Sequence, residues 1–243
     1  MRRIFFTWRG ITVHSYPAMQ YVGLTAGVIA GNFAARSIGL DAFRVYAATI
    51  VLLIPALGGA RLLHVVMKWQ YYRSHREQIW DTRRGGAAQY GGILLAVPAS
   101  IPLLRILDVP FGAFWDVAGI TIMVGMAFTR IGCFMNGCCA GRECHSWLGL
   151  NLPDVRGVWK QRYPTQLYEA AWAVVLLVTG ALIWRSLPFD GALFIYIAAG
   201  YAFGRLVMES LRENGARRFT IHHAISLLII TVSAAVLVVR IPH

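Results

Sequence analysis

Seven stretches of the chain are long and apolar enough to lie in a lipid bilayer as helices, at residues 17–36, 44–67, 87–107, 112–133, 165–185, 190–210 and 221–240. Crossing the hydrocarbon core takes about 20 mostly apolar residues in a helix. A helix satisfies its own backbone there, whereas barrel strands are about half that length. Composition agrees, with 57% hydrophobic and 14% charged residues over a length of 243, against about 25% charged in an average soluble domain. A globule of this size has no interior large enough to hide so much apolar surface, which excludes an ordinary soluble enzyme. The same apolar content excludes a disordered chain. No internal repeat of roughly 20–50 residues and no linker divides it. The expected architecture is all-α, a polytopic protein with about seven transmembrane helices in one membrane-embedded domain, 1–243. Residues 1–16, mixing Phe5, Phe6, Trp8, Arg9 and Tyr16, are expected to lie in the membrane interface rather than act as a cleaved signal, because Arg9 interrupts a short apolar core. Segments 68–86 and 134–164 are the longer loops.

Charge points to lipid. The net charge is +12, from 23 Lys and Arg against 11 Asp and Glu, and only Lys68 and Lys160 are lysines. The basic residues fall singly or in short clusters between apolar runs, which does not make a nucleic-acid groove; anionic phospholipid is the expected partner. Arginine suits it, because its planar fork grips a phosphate through two donors. One side of the expected topology carries Arg2, Arg3, Arg9, Lys68, Arg73, Arg76, Arg83, Arg84, Arg142, Arg156, Lys160, Arg162, Arg212, Arg217 and Arg218. Read by charge alone, that side faces the cytoplasm.

The spans also contain charges. Arg61, Arg130, Glu169, Arg205 and Glu209 all fall within or at the edge of apolar runs. An ionised group at mid-membrane costs roughly 2.5–3.5 kcal/mol on insertion scales, so several are expected to face one wet cavity and pair there. Single arginines reaching the interface from helix ends are the competing reading. Four constellations stand out. Thr129 to Arg142 joins Arg130 and Arg142 to Asn136 and three glycines, and reads as a phosphate clasp at the end of the fourth span. Arg162-Tyr163-Pro164-Thr165-Gln166-Leu167-Tyr168-Glu169 begins a helix after Pro164 with Gln166 and Glu169 on one face. Gly204 to Asn214 puts Arg205, Glu209 and Arg212 on one stripe. Gln89-Tyr90-Gly91-Gly92 opens the third span.

These segments resemble the prolipoprotein diacylglyceryl transferase family, over about residues 16–218. The match lies in Arg130 to Gly141, in Arg162 to Glu169, and in Phe203-Gly204-Arg205 through Glu209 and Arg212 with one inserted glycine. Gly59-Ala60-Arg61 and Asp116 also fall where the family has similar residues. Three positions depart from the family pattern: Tyr90 stands for a usual His, Cys133 for Asn, and Cys138 for an acidic residue.

The resemblance implies transfer of a diacylglyceryl group from phosphatidylglycerol to the thiol of a lipobox cysteine in a prolipoprotein, with glycerol phosphate leaving. It implies a multi-pass protein of the bacterial cytoplasmic (inner) membrane, with its catalytic side facing away from the cytoplasm, against the charge rule. Arg130 and Arg205 are expected to hold the departing phosphate, with Tyr90 as a weaker catalytic assignment because a tyrosine ordinarily titrates near 10. Arg142, Asn136, Gly141, Gln166, Tyr168, Glu169, Glu209, Arg212, Arg61 and Tyr16 are the expected substrate-binding or orienting residues. No cofactor is expected, and no metal is assigned. Two other classes compete: a paralogous lipid-modifying transferase with another acceptor, and a non-catalytic phospholipid- or metal-binding membrane protein. Cys133, Cys138, Cys139 and Cys144, followed by His145, leave three readings open. These are disulfides, a zinc site whose spacing lacks the usual C-x2-C, and free thiols.

Overall fold

A computed structural model describes residues 4–80, 89–153, 157–212 and 221–240, and of Ile11, Gln89, Ile221 and His222 the backbone alone. Arg2, Arg3, Arg83, Arg84, Arg156, Glu213, Asn214, Arg217 and Arg218 lie outside the described residues. The helices are α1 Ser15–Ser37, α2 Ala42–Met67, a short α3 Trp69–Tyr72, α4 Gln89–Ile106, α5 Phe111–Asn136, α6 Thr165–Ile183, α7 Ala192–Ser210 and α8 Ile221–Arg240. Each of the seven expected spans thus carries a helix. Among the described residues five helical stretches are long and apolar enough to cross a membrane: Ala42–Met67, Phe111–Asn136, Thr165–Ser186, Ala192–Ser210 and His223–Arg240. The apolar part of α4, Tyr90–Ile106, is shorter, and α1 is long but more polar. The fold is therefore that of an all-α polytopic membrane protein, with small sheets at its ends and loops.

The chain forms two compact units, one of Met1–Ala34 with Trp115–His243 and one of Ala35–Phe114. In the second, α2 packs on α4. Asp41 caps α2 by accepting from the backbone N–H of Phe43 at 2.8 Å and of Arg44 at 3.1 Å, meeting donors that a helix start leaves orphaned. Gly59 and Gly91 let α2 and α4 approach backbone to backbone, since a Cβ on either would meet the other's carbonyl oxygen. Small residues at such crossings replace the hydrophobic drive that lipid removes. Arg61, buried at 4% exposure, donates from Nε to the carbonyl of Ile79 at 2.7 Å and from Nη2 to that of Gln78 at 2.8 Å. Its guanidinium also lies 5.5 Å from the ring centre of Tyr72. Arg61 thereby ties the segment after α3 to α2. Tyr90 lies in the first turn of α4.

The first unit opens with a hairpin, β1 Ile4–Trp8 and β2 Ile11–His14, turned by Arg9 and Gly10 at φ 48 and 81. Within the N-terminal segment read as interfacial, Ile4–Trp8 and Ile11–His14 are thus strand, with Ile4, Phe6 and Trp8 exposed. Glycines spaced every fourth residue on α1 seat it on α5: a Cβ on Gly23 would lie 2.9 Å from the Cβ of Phe128, and one on Gly27 or Gly31 would strike Thr121. Asp116 of α5 accepts the backbone N–H of Gly191 and of Phe194, both at 2.8 Å, and so caps α7 from another helix. A second hairpin, β3 Leu150–Pro153 with β4 Trp159–Arg162, is extended by Gly141 to Cys144, which bonds to Gln161 and Tyr163.

Candidate active site

The start of α6 organises the site. Pro164 has no N–H to lose at a helix start, and its carbonyl accepts from the N–H of Leu167 and of Tyr168. Thr165 and Gln166, both fully buried, reach back to the turn that follows α5. Thr165 Oγ1 donates to the carbonyl of Cys139 at 2.8 Å, and Gln166 Nε2 to that of Cys138 at 2.6 Å. Gly141 closes the turn: its N–H donates to Tyr163 at 2.8 Å, and a Cβ there would lie 2.7 Å from the carbonyl oxygen of Leu211. Only glycine fits so close an approach.

One turn on from Thr165, Glu169 is 4% exposed and gathers three guanidinium groups. Arg130, near the end of α5, brings Nη2 to Oε2 at 2.5 Å. Arg205 of α7 donates from Nη1 to Oε1 at 3.0 Å. Arg212, just past α7, donates from Nη2 to Oε1, also at 3.0 Å. Glu209 completes the cluster, 3.4 Å from Arg205 and 3.7 Å from Arg212. Tyr201, a turn before Arg205, hydrogen-bonds Arg130. Three positive charges meet two negative ones, so the cluster keeps one net positive charge. Buried charges persist in an apolar setting only when paired and hydrogen-bonded. The pairing is incomplete, because the buried Nε donors of Arg130 and Arg212 have no hydrogen-bond acceptor among the described residues. The buried Oε2 atoms of Glu169 and Glu209 likewise have no hydrogen-bond donor among the described residues; with one net positive charge, the unmet guanidinium donors leave the cluster able to take up an anion through charge-assisted hydrogen bonds.

The structure brings together most of the residues read from sequence, with one change of partner. The spacing of Arg205 and Glu209 pairs them along α7, and they do pair. The shorter contact of Arg205, however, is across to Glu169 on α6. Arg142 is exposed, and among the described residues its side chain has no partner; its backbone N–H holds the carbonyl of Leu211 at 2.8 Å, beside Arg212. Asn136 ends α5 with its side chain on the Cys138 thiol. Tyr168 donates to the carbonyl of Leu148 at 2.7 Å and pins that loop. Tyr16 accepts from Gln20 at 3.1 Å and lies within electrostatic reach of Arg130 and Cys133. Arg61 and Tyr90 belong to the second unit described above. The sequence reading missed Tyr201 and Thr165, although Tyr201 sits on the Arg205–Glu209 stripe, one turn earlier.

All four cysteines are free thiols. The Cys139 thiol, hydrogen-bonded by those of Cys133 and Cys138 and faced by Arg130 and Arg212, is held below the ordinary thiol value. A sequence profile of prolipoprotein diacylglyceryl transferase matches residues 3–239. The chain belongs to the prolipoprotein diacylglyceryl transferase family. The phosphatidylglycerol–prolipoprotein diacylglyceryl transferase of Listeria monocytogenes is 32% identical over 192 residues, covering 74% of this chain and 69% of that protein. The protein of the same name in Bacillus cytotoxicus is 31% identical over 192 residues, covering 74% and 70%. The one in Clostridioides difficile is 26% identical over 214 residues, covering 88% and 84%. The family is one of bacterial membrane enzymes, and the three arginines on Glu169 lie within its matched span.

Proposed function

We propose that this chain transfers the diacylglyceryl group of phosphatidylglycerol to a cysteine thiol of a prolipoprotein, and that Arg130, Arg205 and Arg212 receive the phosphate that departs. The single observation supporting this role is the meeting of three guanidinium groups on the buried Glu169. In the reaction the acceptor thiolate attacks the glyceryl carbon bonded to phosphate. A C–S bond forms, the C–O bond to phosphate breaks, and glycerol phosphate leaves with that electron pair; the thiol proton passes to solvent. Charge grows on the phosphate oxygen as the bond breaks. Donors already held in place around that oxygen stabilise the transition state without reorganising. Glu169 holds the three side chains against mutual repulsion yet leaves them a net positive charge to offer. Arg142, exposed and unpaired among the described residues, meets the headgroup as it arrives. Asn136, Gly141 and Gln166 shape the turn beside the cluster, Tyr168 pins the loop at Leu148, Glu209 orients Arg205 and Arg212, and Tyr16 lies within electrostatic reach of Arg130. The headgroup roles of Arg61 and Tyr90 are supported by resemblance alone.

The test is transfer of label from phosphatidylglycerol to a lipobox peptide by the purified protein, with release of glycerol phosphate as a second readout. Arg130→Ala and Arg205→Ala are each expected to cut kcat/KM by at least about 100-fold, the scale of one lost oxyanion donor. Full activity in either variant would remove the phosphate role. A wild-type chain that fails to transfer, and fails to complement a strain depleted of its own transferase, would favour a different acceptor. Arg61→Ala and Tyr90→Phe in the same assay test the two weaker assignments. We also place the site in the cytoplasmic (inner) membrane, facing away from the cytoplasm. Reporter fusions after residues 75 and 243 check this; a cytoplasmic 75 with an external 243 would reverse it.

A further inference from the structure

The turn after α5 does something the phosphate cluster does not require. It brings the sulfur atoms of Cys133, Cys138 and Cys139 within 4.8 Å of one another. We propose that these three residues bind one thiophilic d10 metal ion, zinc or cuprous, as thiolates. The inference does not rest on the transferase reading. Metal–sulfur bonds of about 2.3 Å place tetrahedral thiolates roughly 3.8 Å apart, so small rotations of the three side chains are enough to close on an ion. Thiolates select soft ions, and among the described residues no carboxylate joins the trio, so the donor set does not suit magnesium or calcium.

The backbone that converges the sulfurs is held in place. Gly137 and Cys139 both take left-handed φ, 75 and 64. For a non-glycine residue such as Cys139 this conformation is disfavoured. The N–H of Cys138 donates to the carbonyl of Cys133 at 3.1 Å. The carbonyls of Cys138 and Cys139 are fixed by Gln166 and Thr165. The turn is therefore held from α6, and the thiols do not have to search for one another. Burial is graded: Cys133 is buried, Cys138 half-buried and Cys139 exposed, so an ion has a way in and an open position for a further ligand. Arg130 and Arg212 face Cys139 and offset the negative charge that three thiolates bring. As the ion binds, the three thiols release their protons to solvent. The linear spacing hides this arrangement, because no pair of the trio stands in a C-x2-C register. Cys144 is not part of it; its sulfur packs against Gly149.

The test uses the full chain, purified in detergent, reduced and stripped with chelator. One arm is equilibrated with zinc sulfate and the other with buffered cuprous ion, and metal per chain is measured after desalting. The expected result is about one ion per chain in at least one arm. Cys139→Ser, at the exposed position where folding is least at risk, is expected to weaken binding at least tenfold, as are Cys133→Ser and Cys138→Ser. Cys144→Ser is expected to bind like wild type. Retention of no ion in both arms would overturn the proposal, as would equal loss in Cys144→Ser. So would alkylation mapping that finds Cys133 in a disulfide with Cys138 or Cys139 in protein isolated without reductant.

Discussion

Glu169 is the residue on which the cluster depends, because among the described residues it alone contacts all three guanidinium groups. Glu169→Gln keeps the volume and removes the charge, leaving Arg205 and Arg212 with Glu209 and Arg130 with no carboxylate partner among the described residues. Breaking a buried charge network in this way costs about 3–5 kcal/mol, so the variant is expected to melt well below wild type in detergent and to lose transfer activity. Arg130→Lys separates charge from geometry. A lysine keeps the positive charge but loses the planar fork, so activity is expected to recover only partly over Arg130→Ala, with the deficit in kcat rather than in KM. Equal activity for the lysine and arginine forms would show that charge alone suffices at this position. Residue identities were legible here: Arg130, Glu169 and Arg205 stood out as charges in or beside apolar runs, and Arg212 as the next charge on the Arg205–Glu209 stripe. Their partners were not, since the i,i+4 pattern on α7 names Glu209 and says nothing of a carboxylate 36 residues away.

At the scale of elements, position comes from caps and close approaches. Asp116 accepts two backbone N–H groups at the start of α7, the helix that presents Arg205. Asp116→Asn keeps one strong acceptor at most and is expected to cost about 1–2 kcal/mol, seen as faster amide exchange in the first turn of α7. The second hairpin carries a pH-sensitive tie. Glu143 pairs with Lys160 at 2.7 Å and with Arg162 at 3.4 Å, and its hydrogen bond from Lys160, followed by the charges of Lys160 and Arg162, lowers its carboxyl below the ordinary value. A carboxyl lowered by folding contributes stability above its unfolded value, and that contribution is lost as pH falls through the folded one. Exchange protection between Gly141–Cys144 and β4 is expected to weaken with acid in wild type and to be flat with pH in Glu143→Gln. The helices themselves were readable from hydropathy, and the α6 start from Pro164. The hairpins were not, because strands this short leave only a weak alternation, and β1 looks as much like an interfacial segment as a strand.

At the scale of the molecule, a chain in lipid has little hydrophobic drive to bring helices together, so contact depends on close backbone packing. The Gly23, Gly27 and Gly31 row on α1 supplies it against α5. Gly27→Leu is expected to lower the melting temperature and, by displacing the helix that carries Arg130, to reduce transfer; an unchanged melt would show that α1 is held by something else. The net charge of +12 matches an anionic lipid partner.

Hydropathy and motif order determined that this is a membrane protein of helices, which family it belongs to and which side chains are too costly to bury without a task. These follow from sequence because transfer energies and helix periods are local properties. Tertiary structure alone decided that Glu169 sits under three arginines, that Asp116 caps α7 and that three cysteines in unpromising register converge. Such partnerships depend on where separate helices meet and on how the turn after α5 is folded back by α6, distances that no linear spacing encodes.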